Sequence, residues 1–203
     1  MQNSRKPKNL RGIYFQGQGV TRKHESCQVE KTNVNKLNVL FINADSLMNK
    51  RTDLEIFIGD QLHKPDIIGI VEVKSKNSND LPQISEFSLK GYDIHYVNVD
   101  KVYGRGIILY TASWLNVSPY RPTTSDSCLE SLWVTVRLSS GRDRLIIGCI
   151  YRSPSSSAEN NEKINNQIRS VCTSGDASHI LIMGDFNFSE YQLVYCKSWY
   201  FFS

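Results

Sequence analysis

The chain has 203 residues, a formal net charge of +4 and 40% hydrophobic residues, values typical of one soluble domain with short appendages. No apolar run approaches the ~18 residues of a membrane-spanning helix, and residues 1–30 lack the apolar stretch of a secretory signal. The five cysteines form no CxxC pair. This pattern disfavours a structural zinc site and a secreted disulfide framework, and it favours an intracellular, reducing compartment.

The positive charge is concentrated at the amino terminus. Residues 1–36 carry eight Lys/Arg and two Glu, an excess of +6 that leaves −2 for the rest of the chain. Because this segment is rich in Asn, Gln, Lys and Gly and lacks apolar periodicity, we predict that residues 1–35 form a basic, disordered arm. Its Arg5-Lys6-Pro7-Lys8 sequence fits either a nuclear signal or a contact with phosphates.

Two buried strands are predicted from residue 37 onward. The run Leu37–Asn43 is almost entirely apolar, as in a strand that is buried on both faces, and Asp66–Glu72 has the same character. A helical pattern separates the two runs, so they form a β-α-β unit. Since such crossovers join parallel strands, Asn43 and Glu72 should lie at the same edge of the sheet.

The helix between these strands is predicted from its capping and its apolar face. Thr52-Asp53-Leu54-Glu55 is a capping-box sequence. The apolar face contains Leu54, Phe57, Ile58 and Leu62. Pro65 prevents the helix from continuing.

The second half of the chain repeats this arrangement. Residues 145–151 and 180–183 are apolar runs, and a helix opened by Ser153-Pro154-Ser155 separates them, so Tyr151 and Asp185 should also share an edge. Antiparallel segments are predicted at Tyr92–Val99, Gly106–Tyr110 and Glu130–Leu138. Mixed sheets with flanking helices predict an α/β sandwich.

Polar side chains follow the apolar runs where the predicted strands end, and ligands collect at such edges in open α/β sheets. Amides, carboxylates and a phenol suit a metal-assisted phosphodiester hydrolysis site. We predict that Glu72, with Asp45 through water, holds Mg²⁺ or alternatively Mn²⁺. Asp185 would orient or deprotonate the attacking water. The donors to the phosphate would be Asn43, Asn187 and Tyr151.

Five segments occur in order, each at a predicted strand end or turn. They are Asn43-Ala44-Asp45-Ser46-Leu47, Glu72 after Pro65-Asp66-Ile67-Ile68, Gly104-Arg105-Gly106-Ile107, Tyr151-Arg152-Ser153-Pro154 and Gly184-Asp185-Phe186-Asn187. Together they resemble the endonuclease/exonuclease/phosphatase superfamily. The Asn-Ala-x-Ser-Leu and Tyr-Arg-x-Pro forms resemble in particular the endonuclease domains of non-LTR retrotransposons of the jockey and LINE kind.

The resemblance spans residues 36–188 and implies a four-layer α/β sandwich. It further implies Mg²⁺-dependent nicking of DNA, with Glu72 as metal ligand, Asp185 as the acid that activates water, and the amides and phenol as active-site groups. A parent polyprotein would carry a reverse transcriptase. Asp45 departs from this pattern, which often has Arg there, and Val73 stands where Thr is usual.

Family members complete their site with a later Ser-Asp-His segment, which these 203 residues do not contain. We therefore expect a domain without its C-terminal part, followed by an aromatic tail at residues 189–203 that has no family counterpart. None of His24, His63, His95 and His179 is placed to substitute. The expected consequences are weak metal binding and no nicking of DNA at a useful rate.

Two alternatives remain open from the sequence. The first is a non-catalytic remnant that at most binds nucleic acid through its basic arm. The second is a phosphatase or phosphodiesterase of the same superfamily with a small-molecule or lipid substrate, against which the Tyr-Arg-x-Pro form argues. A membrane partner is not expected in the leading interpretation, whose partner is DNA.

Overall fold

The computed structural model describes residues 11–18, 36–76, 81–124, 128, 130–138, 143–187 and 201–202. The elements in chain order are β1 (Arg11–Gln18), β2 (Lys36–Asn43), α1 (Arg51–Gly59), β3 (Ile67–Val71), β4 (Tyr92–Val97), β5 (Ile107–Ala112), β6 (Asn116–Pro119), β7 (Ser131–Arg137), β8 (Arg144–Tyr151), α2 (Ala158–Thr173), β9 (His179–Asp185) and β10 (Phe201–Phe202). Short 3-10 helices cover Leu47–Lys50 and Ile84–Phe87.

Two mixed sheets are formed from these strands. The first has the order β1-β2-β3-β5-β4 and the second the order β10-β9-β8-β7-β6. The pairs β2/β3 and β8/β9 are parallel, as the two β-α-β units predict. The antiparallel pairs β4/β5 and β7/β8 confirm the strands predicted between those units.

The sheets pack face to face, and one helix covers the outer face of each. Buried apolar side chains between the sheets include Val71, Leu109, Ile147, Cys149 and Met183. Leu54 and Ile58 of α1 pack on the first sheet, and Ile164 and Val171 of α2 pack on the second. The predicted four-layer α/β sandwich is therefore confirmed. Within the described parts of the chain, no helix combines the length and the apolarity needed to cross a bilayer.

The predicted start and end of α1 are wrong. The 3-10 helix Leu47–Lys50 runs directly into α1, so Thr52 lies inside the first turn rather than at the cap position. At the other end, the Asp60 N–H bonds the Ile56 carbonyl at 3.0 Å and closes the helix. Leu62 consequently lies beyond α1 and is 92% exposed, although its spacing suggested the buried face.

Helix α2 has the side-chain cap that α1 lacks. The Ser157 hydroxyl accepts a hydrogen bond from the Asn160 N–H at 3.1 Å. We expect Ser157→Ala to lower the free energy of unfolding by about 1 kcal/mol, because it leaves that amide without its cap. Thr52→Ala is the matched control and should cost nothing, since alanine is the better helix former. Urea denaturation of both variants measures the difference, and equal losses would contradict these cap assignments.

Residues 11–18 correct the prediction of a disordered arm from 1 to 35. They form β1, an edge strand antiparallel to β2 with Arg11 opposite Asn43. The physical reason is that Ile13, Tyr14 and Phe15 favour extended structure and that β2 offers an open backbone edge. The remainder of the predicted arm, including Arg5–Lys8, lies outside the described residues.

The aromatic tail also contributes one short strand. Phe201–Phe202 pairs in parallel with β9, opposite Ile182 and Met183. The other residues from 188 to 203 lie outside the described part of the chain. Backbone pairing with β9 is a feature of this tail that its composition did not predict.

Candidate active site

The carboxyl ends of the parallel strands meet at one edge of the sandwich. Asn43 is opposite Val71 at the end of the β2/β3 pair, and Tyr151 is opposite Asp185 at the end of the β8/β9 pair. The Asn43 Nδ2 donates to Asp185 Oδ2 at 2.8 Å and to Glu72 Oε1 at 3.1 Å. One amide therefore joins carboxylates from the two sheets, although Asn43 and Asp185 are 142 residues apart.

The backbone after β2 and β3 positions Glu72. The Ala44 N–H bonds the Val71 carbonyl at 3.0 Å, and the Ser46 N–H bonds the Glu72 carbonyl at 2.8 Å, so pairing continues past the strand ends. Glu72 has φ +56, and Asp45 and Ser46 are also left-handed, with φ +40 and +78. Such backbone is uncommon for residues other than glycine, and it clusters at functional sites when the surroundings enforce it.

Arg105 brings a positive charge into this cluster. Its Nη2 lies 3.0 Å from Glu72 Oε2 and 2.7 Å from Asp45 Oδ1. Its Nε donates to the Lys74 carbonyl at 2.8 Å, while the Lys74 N–H donates to the Arg105 carbonyl at 2.8 Å. The hydrogen bond from Arg105 lowers the pKa of Asp45, which is otherwise exposed to solvent.

This role of Arg105 was not predicted from the sequence. The sequence Gly104-Arg105-Gly106 is typical of a turn. The structure contains this turn, with φ +71 at Gly104 and +76 at Gly106. Arg105 could have been identified from its position in the turn that leads into β5, because the start of β5 lies beside the end of β3. A charged residue in that turn must emerge at the edge where Glu72 lies.

Lys74 is a second residue with an unforeseen structural role. It is buried, and its ammonium group donates to the carbonyls of Lys101 and Tyr103. Burial lowers the pKa of this ammonium group. These contacts attach the loop that precedes Gly104 to the segment after β3, so they stabilise the turn that carries Arg105.

Tyr151 adds a hydroxyl from the second sheet. It is buried at the end of β8, where its phenol interacts with the Glu72 carboxylate. Burial, together with the negative charges of Glu72 and Asp185, raises the pKa of the phenol. Tyr151 therefore stays protonated at neutral pH and acts as a donor in this cluster.

Asn187 is the predicted site residue that the structure does not bring into the cluster. Its Nδ2 donates to the Arg152 carbonyl at 2.8 Å, and Arg152 Nη1 returns a bond to the Asn187 carbonyl at 2.7 Å. The Asn187 N–H donates to Asp185 Oδ1 at 3.3 Å. In this arrangement the backbone of Asn187 supports Asp185, and a contact from its side-chain amide to a phosphate stays a prediction.

Gly184 lies inside a strand rather than in a turn. Strand β9 continues through it to Asp185, and the left-handed backbone comes only at Asn187, with φ +46. A Cβ at Gly184 would lie 2.0 Å from the Ile150 carbonyl oxygen. The glycine is therefore required by the close approach of β9 to β8 beside the site.

The predicted Mg²⁺ ligands do not fit a divalent ion as they are arranged. One Glu72 carboxylate oxygen accepts a hydrogen bond from Asn43, and the other forms an ion pair with Arg105. Asp45 pairs with the same guanidinium nitrogen. Over the described residues, no group of three or more His, Cys, Asp or Glu side chains has an arrangement that could hold a metal.

The histidines that the structure describes lie away from this edge. His179 begins β9 opposite Leu145, at the far end of the strand pair that finishes at Tyr151 and Asp185. His95 lies within β4 and contacts Thr111, and His63 is exposed after α1. His24 lies outside the described residues.

No protein-family model and no curated protein matches the sequence. The endonuclease domain of TRAS1, a telomere-specific non-LTR retrotransposon, matches with 17% identity over 75% of this chain and 59% of that chain, at a TM-score of 0.51. This chain thus spans less than two thirds of that domain. The likeness establishes a common fold.

Two further solved structures are similar at lower scores. A humanized D. rerio TDP2 matches with 16% identity over 76% of this chain and 67% of that chain, at a TM-score of 0.48. The human Nocturnin catalytic domain, solved with a bound sulfate anion, matches with 14% identity over 72% of this chain and 62% of that chain, at a TM-score of 0.45.

Proposed function

We propose that this chain, which has the endonuclease/exonuclease/phosphatase-type fold, is an endonuclease-type domain whose site binds the phosphodiester backbone of DNA and cleaves it only slowly. The observation that carries the proposal is the hydrogen-bonded cluster of Asn43, Glu72 and Asp185, with Tyr151 and Arg105 against it. In this fold the cluster lies at the carboxyl ends of the strands, where ligands of open α/β sheets bind. We further propose descent from a non-LTR retrotransposon.

Asp185 is the group proposed to activate water. Its Oδ2 accepts from Asn43 and its Oδ1 accepts from the Asn187 N–H, so the carboxylate is held at two points. A carboxylate fixed in this way can orient a water molecule and accept its proton as the oxygen attacks phosphorus. The P–O bond to one sugar oxygen breaks in the same reaction, and that leaving oxygen takes a proton from solvent. Asn43 fixes Asp185 relative to Glu72, which ties the two sheets into one site.

Tyr151 and Arg105 are proposed to stabilise negative charge on the phosphate. The Tyr151 phenol interacts with Glu72 in the free chain, and its hydroxyl would donate to a non-bridging phosphate oxygen in the complex. The Arg105 guanidinium carries a fixed positive charge beside the same carboxylate. Donors that are already in place when charge develops stabilise the transition state without reorganisation.

Nicking of supercoiled plasmid tests this function with Tyr151→Phe. The substitution removes one hydroxyl and keeps the buried ring, so we expect the chain to remain folded and the nicking rate to fall on the order of 10²-fold, as for loss of one preorganised donor. Because slow turnover is expected from the wild-type chain, protein is used in excess over plasmid during long incubations, with Mg²⁺, with Mn²⁺ and with chelator.

Tyr110→Phe is the matched control, since Tyr110 is also buried and donates one hydroxyl hydrogen bond, to the Phe87 carbonyl at 2.6 Å. It should nick as the wild type does. Equal rates for wild type and Tyr151→Phe would remove the support for this active site. Plasmid binding without any nicking would favour a non-catalytic nucleic-acid-binding domain. Cleavage of a phosphoinositide but not of plasmid would favour the lipid substrate.

A further inference from the structure

We propose that Arg105 is the resident cation of this site, and that its guanidinium takes the position between Glu72 and Asp45 that a divalent ion would need. The inference rests on the proposed function for the identity of the site, because it names the group that supplies positive charge there. It goes beyond that function because it assigns the cation to the polypeptide itself.

The contacts of Arg105 hold its guanidinium in one place. A single nitrogen, Nη2, reaches both carboxylates, at 3.0 Å from Glu72 and 2.7 Å from Asp45. The Nε is bonded to the Lys74 carbonyl, and the backbone of the two residues is joined by a second hydrogen bond. The Arg105 side chain is 17% exposed and that of Glu72 is 14% exposed, so this pair is not a mobile surface ion pair.

A divalent ion would compete directly with this guanidinium. It would bind at Glu72 Oε2, with Asp45 Oδ1 through water, and Arg105 already contacts both of these oxygens. Two lysines, Lys50 and Lys76, add positive charge around Asp45. Each of these cations weakens the attraction of the site for a metal ion.

The carboxylates would be left facing solvent and one another if Arg105 lost its charge. Glu72 and Asp45 would then have two free oxygens directed at one position, with Asp185 bonded to the same Asn43 amide as Glu72. Oxygen ligands of this kind bind Mg²⁺ and Mn²⁺. Arg105→Met, which keeps the length of the side chain and removes its charge, should therefore create divalent-ion affinity that the wild-type chain lacks.

Titration with Mn²⁺ in the absence of DNA tests the proposal, because the electron paramagnetic resonance signal of free Mn²⁺ falls as the ion binds. We expect the wild-type dissociation constant to be weaker than about 1 mM, the weak end of protein calcium sites. Arg105→Met should bind at least about tenfold more tightly, since a full charge is removed from within contact distance. The added substitution Glu72→Gln should abolish the gain.

Arg51→Met is the matched control, because Arg51 also pairs with a carboxylate, Glu55 at 3.1 Å, and donates to the carbonyls of Glu86 and Ser88. It should leave Mn²⁺ binding unchanged. Circular dichroism establishes that each variant is folded. A folded Arg105→Met that binds no more tightly than wild type would overturn the proposal.

The wild-type chain decides the question if Arg105→Met does not fold. A wild-type dissociation constant for Mn²⁺ tighter than about 0.1 mM, the tight limit of weak protein calcium sites, would overturn the proposal if Glu72→Gln weakens this binding. Binding too weak to detect would support the proposal. These outcomes are separate from those of the plasmid assay. A chain that does not nick DNA would contradict the proposed function but not the proposal on Arg105. Strong metal binding by the wild type would contradict the proposal on Arg105 but not DNA cleavage.

Discussion

Replacing Asp185 by Ala should lower the rate of plasmid nicking by about 10² to 10⁴-fold, the range for loss of a positioned acid or base. Asp185 is the carboxylate proposed to take the proton from water, and it is held by Asn43 at 2.8 Å and by the Asn187 N–H at 3.3 Å. The substitution also removes the acceptor through which Asn43 ties the second sheet to the first. We expect this loss to exceed the loss in Tyr151→Phe.

The measurement is a single-turnover time course of plasmid nicking by wild type, Asp185→Ala and Asp176→Ala. Asp176 is the matched control because its carboxylate also accepts one side-chain hydrogen bond, from the Tyr120 hydroxyl at 2.9 Å, near the start of β9 rather than its end. Asp176→Ala should nick at the wild-type rate. Undiminished nicking by Asp185→Ala would show that the water is activated elsewhere.

The second large effect is expected from Gly184→Ala. The added Cβ would meet the Ile150 carbonyl oxygen at 2.0 Å and the Ile150 N at 3.1 Å, and backbone atoms cannot turn away as a flexible side chain can. Strands β8 and β9 must separate, so we expect the free energy of unfolding to fall by roughly 1–3 kcal/mol or more. Asp185 is the next residue, so nicking should be lost together with stability.

Gly59→Ala is the control for this prediction. Gly59 is the last residue of α1, and a Cβ there meets nothing within 4 Å. Since alanine favours helix over glycine by about 1 kcal/mol, this variant should be as stable as wild type or slightly more stable. Thermal and urea unfolding compare the two variants. A Gly184→Ala protein with wild-type stability would contradict the close approach of β8 and β9.

The sequence by itself determined the strand ends at which the polar residues lie. Apolar runs before Asn43, Glu72 and Asp185 predicted buried strands. Because β-α-β crossovers join parallel strands, the ends of each pair had to share an edge. Those rules depend on local hydrophobic pattern and chain connectivity, which a single sequence contains. The five ordered segments also predicted the fold. The sheet topology and the likeness to the TRAS1 endonuclease domain confirm that fold.

Details of backbone and capping were less predictable. Thr52-Asp53-Leu54-Glu55 matches the capping-box motif, but the preceding 3-10 helix places Thr52 inside the first helical turn. Residues 11–18 lie in a segment with the overall composition of an arm. They form a strand because Ile13, Tyr14 and Phe15 favour extended structure and the edge of β2 is available to pair with them. In both cases a neighbouring element decided the outcome.

Only the tertiary structure decided which polar groups touch. The bond from Asn43 to Asp185 joins two separate sheets, so its existence depends on how the sandwich packs rather than on either β-α-β unit. The same packing of adjacent loops sets Arg105 between Glu72 and Asp45. Spacing along the chain contains no information about such contacts, because side chains from distant segments meet only after the core between the sheets has formed.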